Sequence, residues 1–313
     1  MELSPPIPTA TVPAVADPRP REVATFGAVH LEVTDLGSST AFWHQVIGLH
    51  IRSEESDRVE LGTAGETLVV LHGGASHGFL LRHSGLYHLA IHPPSEEEFA
   101  RILQRLIAAR WRFSPVDHVM SKAMYLNDPD GITVEITLET PHRLRELIVV
   151  DSVVRAINVD GELESGYEPF DLTAMLTNLD DQPQQDFVGA GTRIGHMHLY
   201  VADLLDAYQF YRSLGFTQAL WTPHIGIGDL GAGGAFNHRI AVNTFQGVGA
   251  PQSPAGTARM RNFTIRLDTP DRLDSVLGVL PHDVTETESG FLLADPAGNR
   301  LVLDALPEER TAA

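Results

Sequence analysis

The sequence of 313 residues contains no cysteine. That absence excludes disulfides, thiolate metal sites and cysteine nucleophiles, and it fits a reducing, cytoplasmic setting. Positive charge is scarce as well: 22 Lys and Arg against 41 Asp and Glu leave a formal net charge of -19, which argues against nucleic acid and an anionic membrane surface as partners. No stretch approaches the roughly 18 consecutive apolar residues of a membrane span. Segment 1–23 is rich in proline and small residues and lacks the apolar core of a secretory signal, so it reads as a flexible tail or an arm that packs on a neighbour. What remains is ordinary for a globular protein, with 43% apolar and 20% charged residues, and the length suggests about two domains.

The stretch Gly85 to Glu139 has the clearest pattern. Ser95 followed by Glu98 forms a capping box, and Phe99, Ile102, Leu103, Leu106 and Ile107 recur at helical spacing. Asn127-Asp128-Pro129-Asp130-Gly131 is turn chemistry throughout, so Ala123 to Leu126 and Ile132 to Leu138 read as paired strands. In the second of these Ile132, Val134 and Ile136 share one face, while Thr133, Glu135 and Thr137 share the other. A strand with His88 before the helix completes a βαβββ unit.

The unit recurs. FGAVHLEVTDLGSSTAFWHQVIGL from Phe26 and IGHMHLYVADLLDAYQFYRSLGF from Ile194 share one layout: Ala28 and His196 each precede an Asp by seven residues, and each Asp precedes a Phe by seven. LYHLAIHPPSEEEFARIL aligns with RNFTIRLDTPDRLDSVL, setting His88 against Asn262, and NDPDGITVE aligns with ADPAGNRLV, setting Glu135 against Val302. The chain therefore holds four modules, at roughly 24–80, 82–140, 192–250 and 258–308. In sequence order these give one domain over 24–140 and another over 192–308. The segment 141–191 between them shows no repeat and is expected to be a connection with a short helix around Leu172 to Leu179. Each module leaves one face of a curved sheet bare, so the expected fold is α+β, four βαβββ modules paired into two open-barrel clefts.

GHMHLYVADL, LYHLAI and MYLNDPDGITVE together resemble the vicinal oxygen chelate superfamily, and most of all its two-domain extradiol ring-cleaving dioxygenases of the catechol 2,3-dioxygenase type; the resemblance covers about 24–308. It implies a cleft with one metal ligand in the first strand of one module, a second in the first strand of its partner and a carboxylate in that partner's last strand. On this chain the positions are Ala28 or His196, His88 or Asn262, and Glu135 or Val302. Modules paired in sequence order leave both sets incomplete unless His30 is recruited in place of His196. Crossed pairing, module 2 with 3 and module 1 with 4, brings His88, His196 and Glu135 together and leaves Ala28, Asn262 and Val302 in the other cleft. Two histidines and one carboxylate are the facial triad of non-haem Fe(II), and the same ligands also take Mn(II).

The resemblance further implies His238, at the start of a strand in GGAFNHRIAVNTF, as acid and base, Tyr125 as a hydrogen-bond donor to a substrate oxygen, and His118 as a second pocket histidine. His198 is expected in the pocket wall, His30 as a structural or vestigial residue, and Asn243 either orients the pocket or caps a turn. The other histidines, His72, His77, His83, His92 and His224, read as surface or loop. The reaction implied is extradiol cleavage of a catechol-type aromatic diol with O2, as in aromatic compound degradation. A glyoxalase-type isomerase or epimerase is one alternative, disfavoured because Ala28 and Val302 offer no fourth ligand; a drug-sequestering binding protein is another. Loops such as Leu220 to Gly234 are expected to wall the pocket, and a homo-oligomer is expected from the sheet edges and the proline-rich arm.

Overall fold

A computed structural model describes residues 22–179, 185–280 and 283–306; segment 1–23, apart from Glu22 and Val23, lies outside the described residues. The first module consists of β1 (Ala24–Val33), α1 (Leu36–Ala41, running on as a wider π turn over Phe42–Ile47), β2 (His50–Glu54), β3 (Arg58–Gly62) and β4 (Thr67–Gly73). The second consists of β5 (Gly85–His92), α2 (Glu96–Ala108), β6 (Ser114–Asp117), β7 (Ser121–Asn127) and β8 (Thr133–Glu139). The connecting segment is not a bare linker. It forms β9 (Leu144–Val150), β10 (Val153–Asn158) and β11 (Leu163–Glu164), a three-stranded sheet, and then the expected short helix, α3 (Leu172–Leu176). The third module is β12 (Arg193–Tyr200), α4 (Leu204–Ser213), β13 (Thr217–Thr222), β14 (Ile227–Gly231) and β15 (Ile240–Asn243). The fourth is β16 (Arg259–Leu267), α5 (Pro270–Leu277), β17 (Thr285–Thr287), β18 (Gly290–Ala294) and β19 (Arg300–Ala305).

Each module starts its helix by the same device. Asp35, Ser95, Asp203 and Thr269 sit in extended backbone at the N-cap, and each side chain accepts a hydrogen bond from the amide three residues on, satisfying a donor that the first helical turn leaves free. The turn before the last strand is also repeated. Asp128 Oδ1 accepts from the amides of Asp130 and Ile132, Asp295 Oδ1 from those of Ala297 and Asn299, and Gly131 and Gly298 take φ of 88° and 86°, the left-handed region that glycine enters without a Cβ clash. On α2, Phe99, Ile102, Leu103 and Leu106 are buried, whereas Ile107 is 46% exposed; it lies one residue past the buried stripe. Phe99 is fully buried against Phe170, ring centroids 5.6 Å apart. Phe99→Ala is expected to cost about 3–5 kcal/mol, measured as a lower urea midpoint at unchanged slope.

Strand order decides the architecture. One sheet runs β13-β14-β15-β12-β5-β8-β7-β6 and the other β17-β18-β19-β16-β1-β4-β3-β2. The first joins modules 2 and 3 through antiparallel β12 and β5; the second joins modules 1 and 4 through antiparallel β1 and β16. This is the crossed arrangement, so the chain segments 24–140 and 192–308 each contribute half of both sheets. The outer strands β13 and β6 are not paired with one another, and the sheet is an open one. The two sheets meet where β1 lies against β12 and β16 against β5, over a shared apolar core. Strand alternation turns Met197 and Leu199 to the opposite face of β12 from His196 and His198. Among the described residues no helix is long and apolar enough to cross a membrane.

Candidate metal centre

Three strands of the first sheet deliver the site. His196 on β12 pairs with Ala90 on β5, His88 lies two residues earlier on β5, and Ala90 pairs with Glu135 on β8. Crossing the sheet in this way brings three side chains to one point although 108 residues separate the two histidines. His88 Nε2 is 3.0 Å from Glu135 Oε2, His196 Nε2 is 3.1 Å from that same oxygen, and the two Nε2 atoms are 3.2 Å apart. All three residues are at most 2% exposed. The other carboxylate oxygen, Oε1, accepts from Thr137 Oγ1 at 2.8 Å, so Glu135 presents a single oxygen to the histidines.

A near-equilateral triangle of that size caps one face of an octahedron with bonds of about 2.2 Å, the range of imidazole and carboxylate bonds to first-row divalent ions. Two imidazole nitrogens and a carboxylate oxygen, buried and within 3.2 Å of one another, are groups that a shared cation would satisfy together. The donor set therefore fits a divalent metal ion. Burial pushes the Glu135 carboxyl up, but His196 and His88 outweigh it and hold the group well below the usual carboxylate range. Burial drives His196 well below the ordinary imidazole value despite Glu135.

Beside the triangle, lined by His88 and Glu135, lies a cavity of about 220 Å³, smaller than the roughly 300–1,000 Å³ of sites for drug-sized ligands and suited to a single ring. His198 packs edge to face on His88, ring centroids 4.8 Å apart, and Asn243 Nδ2 lies 2.8 Å from its Nε2. Asn243 Oδ1 also accepts from the Phe245 amide. His238 lies in the loop just before β15, not at a strand start. Its ring centroid is 4.5 Å from that of His196, and its Nδ1 is 2.9 Å from Asp229 Oδ2. Burial lowers the proton affinity of His238, but Asp229 more than offsets this and raises it above the ordinary value. Tyr125, paired with Glu135 across β7 and β8, has its hydroxyl 3.0 Å from His118 Nε2; burial and then the Glu135 charge push that hydroxyl well above the usual phenol range. His118 Nδ1 lies 2.7 Å from the Gly166 carbonyl oxygen, and burial lowers the imidazole.

Several expectations need correction. Leu220, Ile227 and Asp229 do line the cavity, but from strands β13 and β14 and not from a loop, and no sequence signal singles out Asp229. Tyr167 and Arg155, also in the lining, come from the connecting segment, where no repeat copy marks them. His92 is not a surface residue: it is 2% exposed and hydrogen-bonded to His196, and its even spacing from His88 on one strand is the available signal. His72 is half-buried and pairs with His30 across 2.9 Å on the second sheet; burial, then His72, Arg58 and Arg261, lower His30 to about 4. Ala28 and Val302 belong to that second sheet, so neither is the fourth position beside His88, His196 and Glu135. In the metal-site sheet, His198 lies two residues after His196 as Ala90 does after His88, and it pairs with Ala241, which offers no donor atom.

A family model described as the Glyoxalase/Bleomycin resistance protein/Dioxygenase superfamily matches residues 25–136. Over 288 residues, 88% of this chain and 95% of the relative, the sequence is 30% identical to the catechol-2,3-dioxygenase of Bacillus subtilis (strain 168). The chain belongs to the glyoxalase/dioxygenase superfamily. Two solved structures share the fold of this superfamily member. A putative dioxygenase from Bacillus subtilis subsp. subtilis str. 168 matches at 11% identity and a TM-score of 0.55 over 92% of this chain and 86% of that one. Glyoxalase I from Zea mays matches at 13% identity and a TM-score of 0.51 over 90% and 92%. The superfamily thus contains glyoxalases and dioxygenases alike, and the choice between them rests on the site.

Proposed function

We propose that the protein is an extradiol ring-cleaving dioxygenase that opens a catechol-type aromatic diol with O2, using Fe(II), or Mn(II) as the alternative ion, held by His88, His196 and Glu135. The observation that carries this reading is the three-donor facial set with Ala241 where a fourth protein ligand would stand. A glyoxalase-type isomerase usually presents four ligands; a diol chelating through two oxygens, together with dioxygen, needs the remaining positions free. The ion, when bound, supplies a centre that two adjacent oxygens can chelate and that can pass electrons to dioxygen.

The chain's own residues do the rest. His198, His118 and Tyr125 border the place where the diol sits, and Tyr125, kept protonated by burial, donates to a substrate oxygen. His238 takes a proton from a diol hydroxyl through the imidazole nitrogen not engaged with Asp229 and returns it later; Asp229 stabilises the imidazolium in between. Both oxygen atoms enter the ring-opened semialdehyde acid, so no external reductant is required. Catechol-2,3-dioxygenase, the name carried by the Bacillus subtilis relative, agrees with this reading.

The test is direct. Protein loaded with Fe(II) without oxygen, mixed with catechol and then exposed to air, is expected to consume one O2 per catechol and turn yellow. No oxygen uptake from an iron-loaded sample with catechol or its ring-substituted relatives would overturn the proposal.

A further inference from the structure

The metal ligand His196 is held from behind by a second histidine. Its Nδ1 lies 2.8 Å from His92 Nε2, and His92 Nδ1 lies 2.8 Å from Glu139 Oε1. Arg239 Nη1 and Arg193 Nη2 donate to that same carboxylate oxygen at 2.7 and 2.9 Å, and both arginines also pair with Glu22. Phe236 closes the side of the relay, edge on to His92 and under the Arg239 guanidinium. His92 and Arg239 are each 2% exposed.

The backbone is shaped to admit this ring. Gly195 is left unpaired between Ile194 and His196 in the β12–β5 ladder, the mark of a β-bulge, and a Cβ at Gly195 would lie 1.9 Å from His92 Cγ. The matching bulge on β5 falls at Tyr87, 108 residues earlier, the same offset that relates His88 to His196 and His92 to Tyr200. On the Tyr87 side of the sheet Tyr87 stacks on Tyr200, centroids 4.8 Å apart, beside the cavity. On the Gly195 side the mirrored pair has become a missing side chain with an imidazole packed where it would be. The pseudo-symmetry is broken at the one place that gives His196 an outer partner.

We propose that His92 is a positioning residue for the metal centre: Glu139, His92 and His196 form a directional relay that fixes His196 as the Nδ1–H tautomer and aims its bare Nε2 at the ion. The proposal rests on His88, His196 and Glu135 being metal ligands. Direction follows from proton count. Nε2 of His196 must carry no proton to bind an ion, so the proton is on Nδ1 and is donated to His92 Nε2; His92 then carries its own proton on Nδ1 and donates it to Glu139, which the two arginines keep as an acceptor.

Zn(II) serves as a probe independent of turnover. In 15N-histidine spectra of the Zn(II)-loaded native protein, His196 and His92 are both expected as neutral Nδ1–H tautomers; His92 protonated at Nε2, or charged, would overturn the relay. In competition titrations His92→Phe is expected to bind Zn(II) about 10–100-fold more weakly, and His92→Gln, whose amide can accept from one side and donate to the other, to recover most of the loss. Binding by folded His92→Phe within threefold of native protein would overturn the proposal while leaving the metal site standing. Failure of native protein to bind Zn(II) at all would sink the metal site and the relay with it. Should His92→Phe not fold, the native tautomers decide.

Discussion

Glu135→Gln is expected to abolish stable metal retention and to lower ring cleavage on the order of a thousandfold or more, about 4 kcal/mol of lost transition-state stabilisation. The substitution keeps the shape of the side chain and its contact with Thr137 but removes the single negative charge between two buried imidazoles. An uncharged amide in that place leaves the ion with two neutral ligands and turns a donor NH2 or a weaker acceptor toward it. The apo form of the variant is expected to be no less stable than apo wild type, because an unshared buried carboxylate beside two histidines contributes little to folding. Metal analysis of protein purified without oxygen, with urea unfolding of the apo forms, checks both halves. Stoichiometric metal in the variant would remove Glu135 from the ligand set.

The second large effect is at His238. Replacement by Gln is expected to cut kcat by about 10²–10⁴ with metal content unchanged, since His238 packs edge to face against His196 but is not one of the three residues His88, His196 and Glu135 proposed to hold the ion; loss of metal in the variant would place His238, which converges with His88 and His198, among the ligands. Asp229→Asn separates positioning from chemistry. In the native protein Asp229 outweighs burial and lets His238 keep its proton to a higher pH than free imidazole does. With Asn in that place burial is no longer outweighed by the Asp229 charge, the proton is lost at a lower pH, and the acid limb of the kcat profile, which reports a base that must be unprotonated, moves toward lower pH. A profile that does not move, measured at saturating catechol, would mean that His238 is not the group being titrated.

Much of the fold, and the convergence of His88, His196 and Glu135, is readable in the residues because the chain is repetitive. Four N-caps at one place in the module and two Asp-Pro turns with a glycine give the strands their positions, and Ala28, Asn262 and Val302 standing opposite His196, His88 and Glu135 point to which modules share a sheet. Where repetition ends, legibility ends. Strands β9 to β11, and with them Arg155 and Tyr167, have no second copy to align against. Asp229 acquires meaning only once β14 lies beside the loop that carries His238. His92 escapes a reading of the sequence because a histidine before two prolines resembles the frayed end of a strand, and nothing local announces that Gly195, on another strand, leaves room for its ring.

Crossed pairing also sets the order of events during synthesis. His88 and Glu135 leave the ribosome well before His196, so a nascent chain ending at the connecting segment has two of the three converging side chains and must wait for β12 before the proposed metal site can form. The other sheet waits longer, since β1 has no central partner until β16 is made, with His30 paired to Asn262 at the far end of the chain and a correspondingly large loop to close. The interior pair of modules can thus pair its central strands while the first module is still held open, ready to be sealed by the last strands translated.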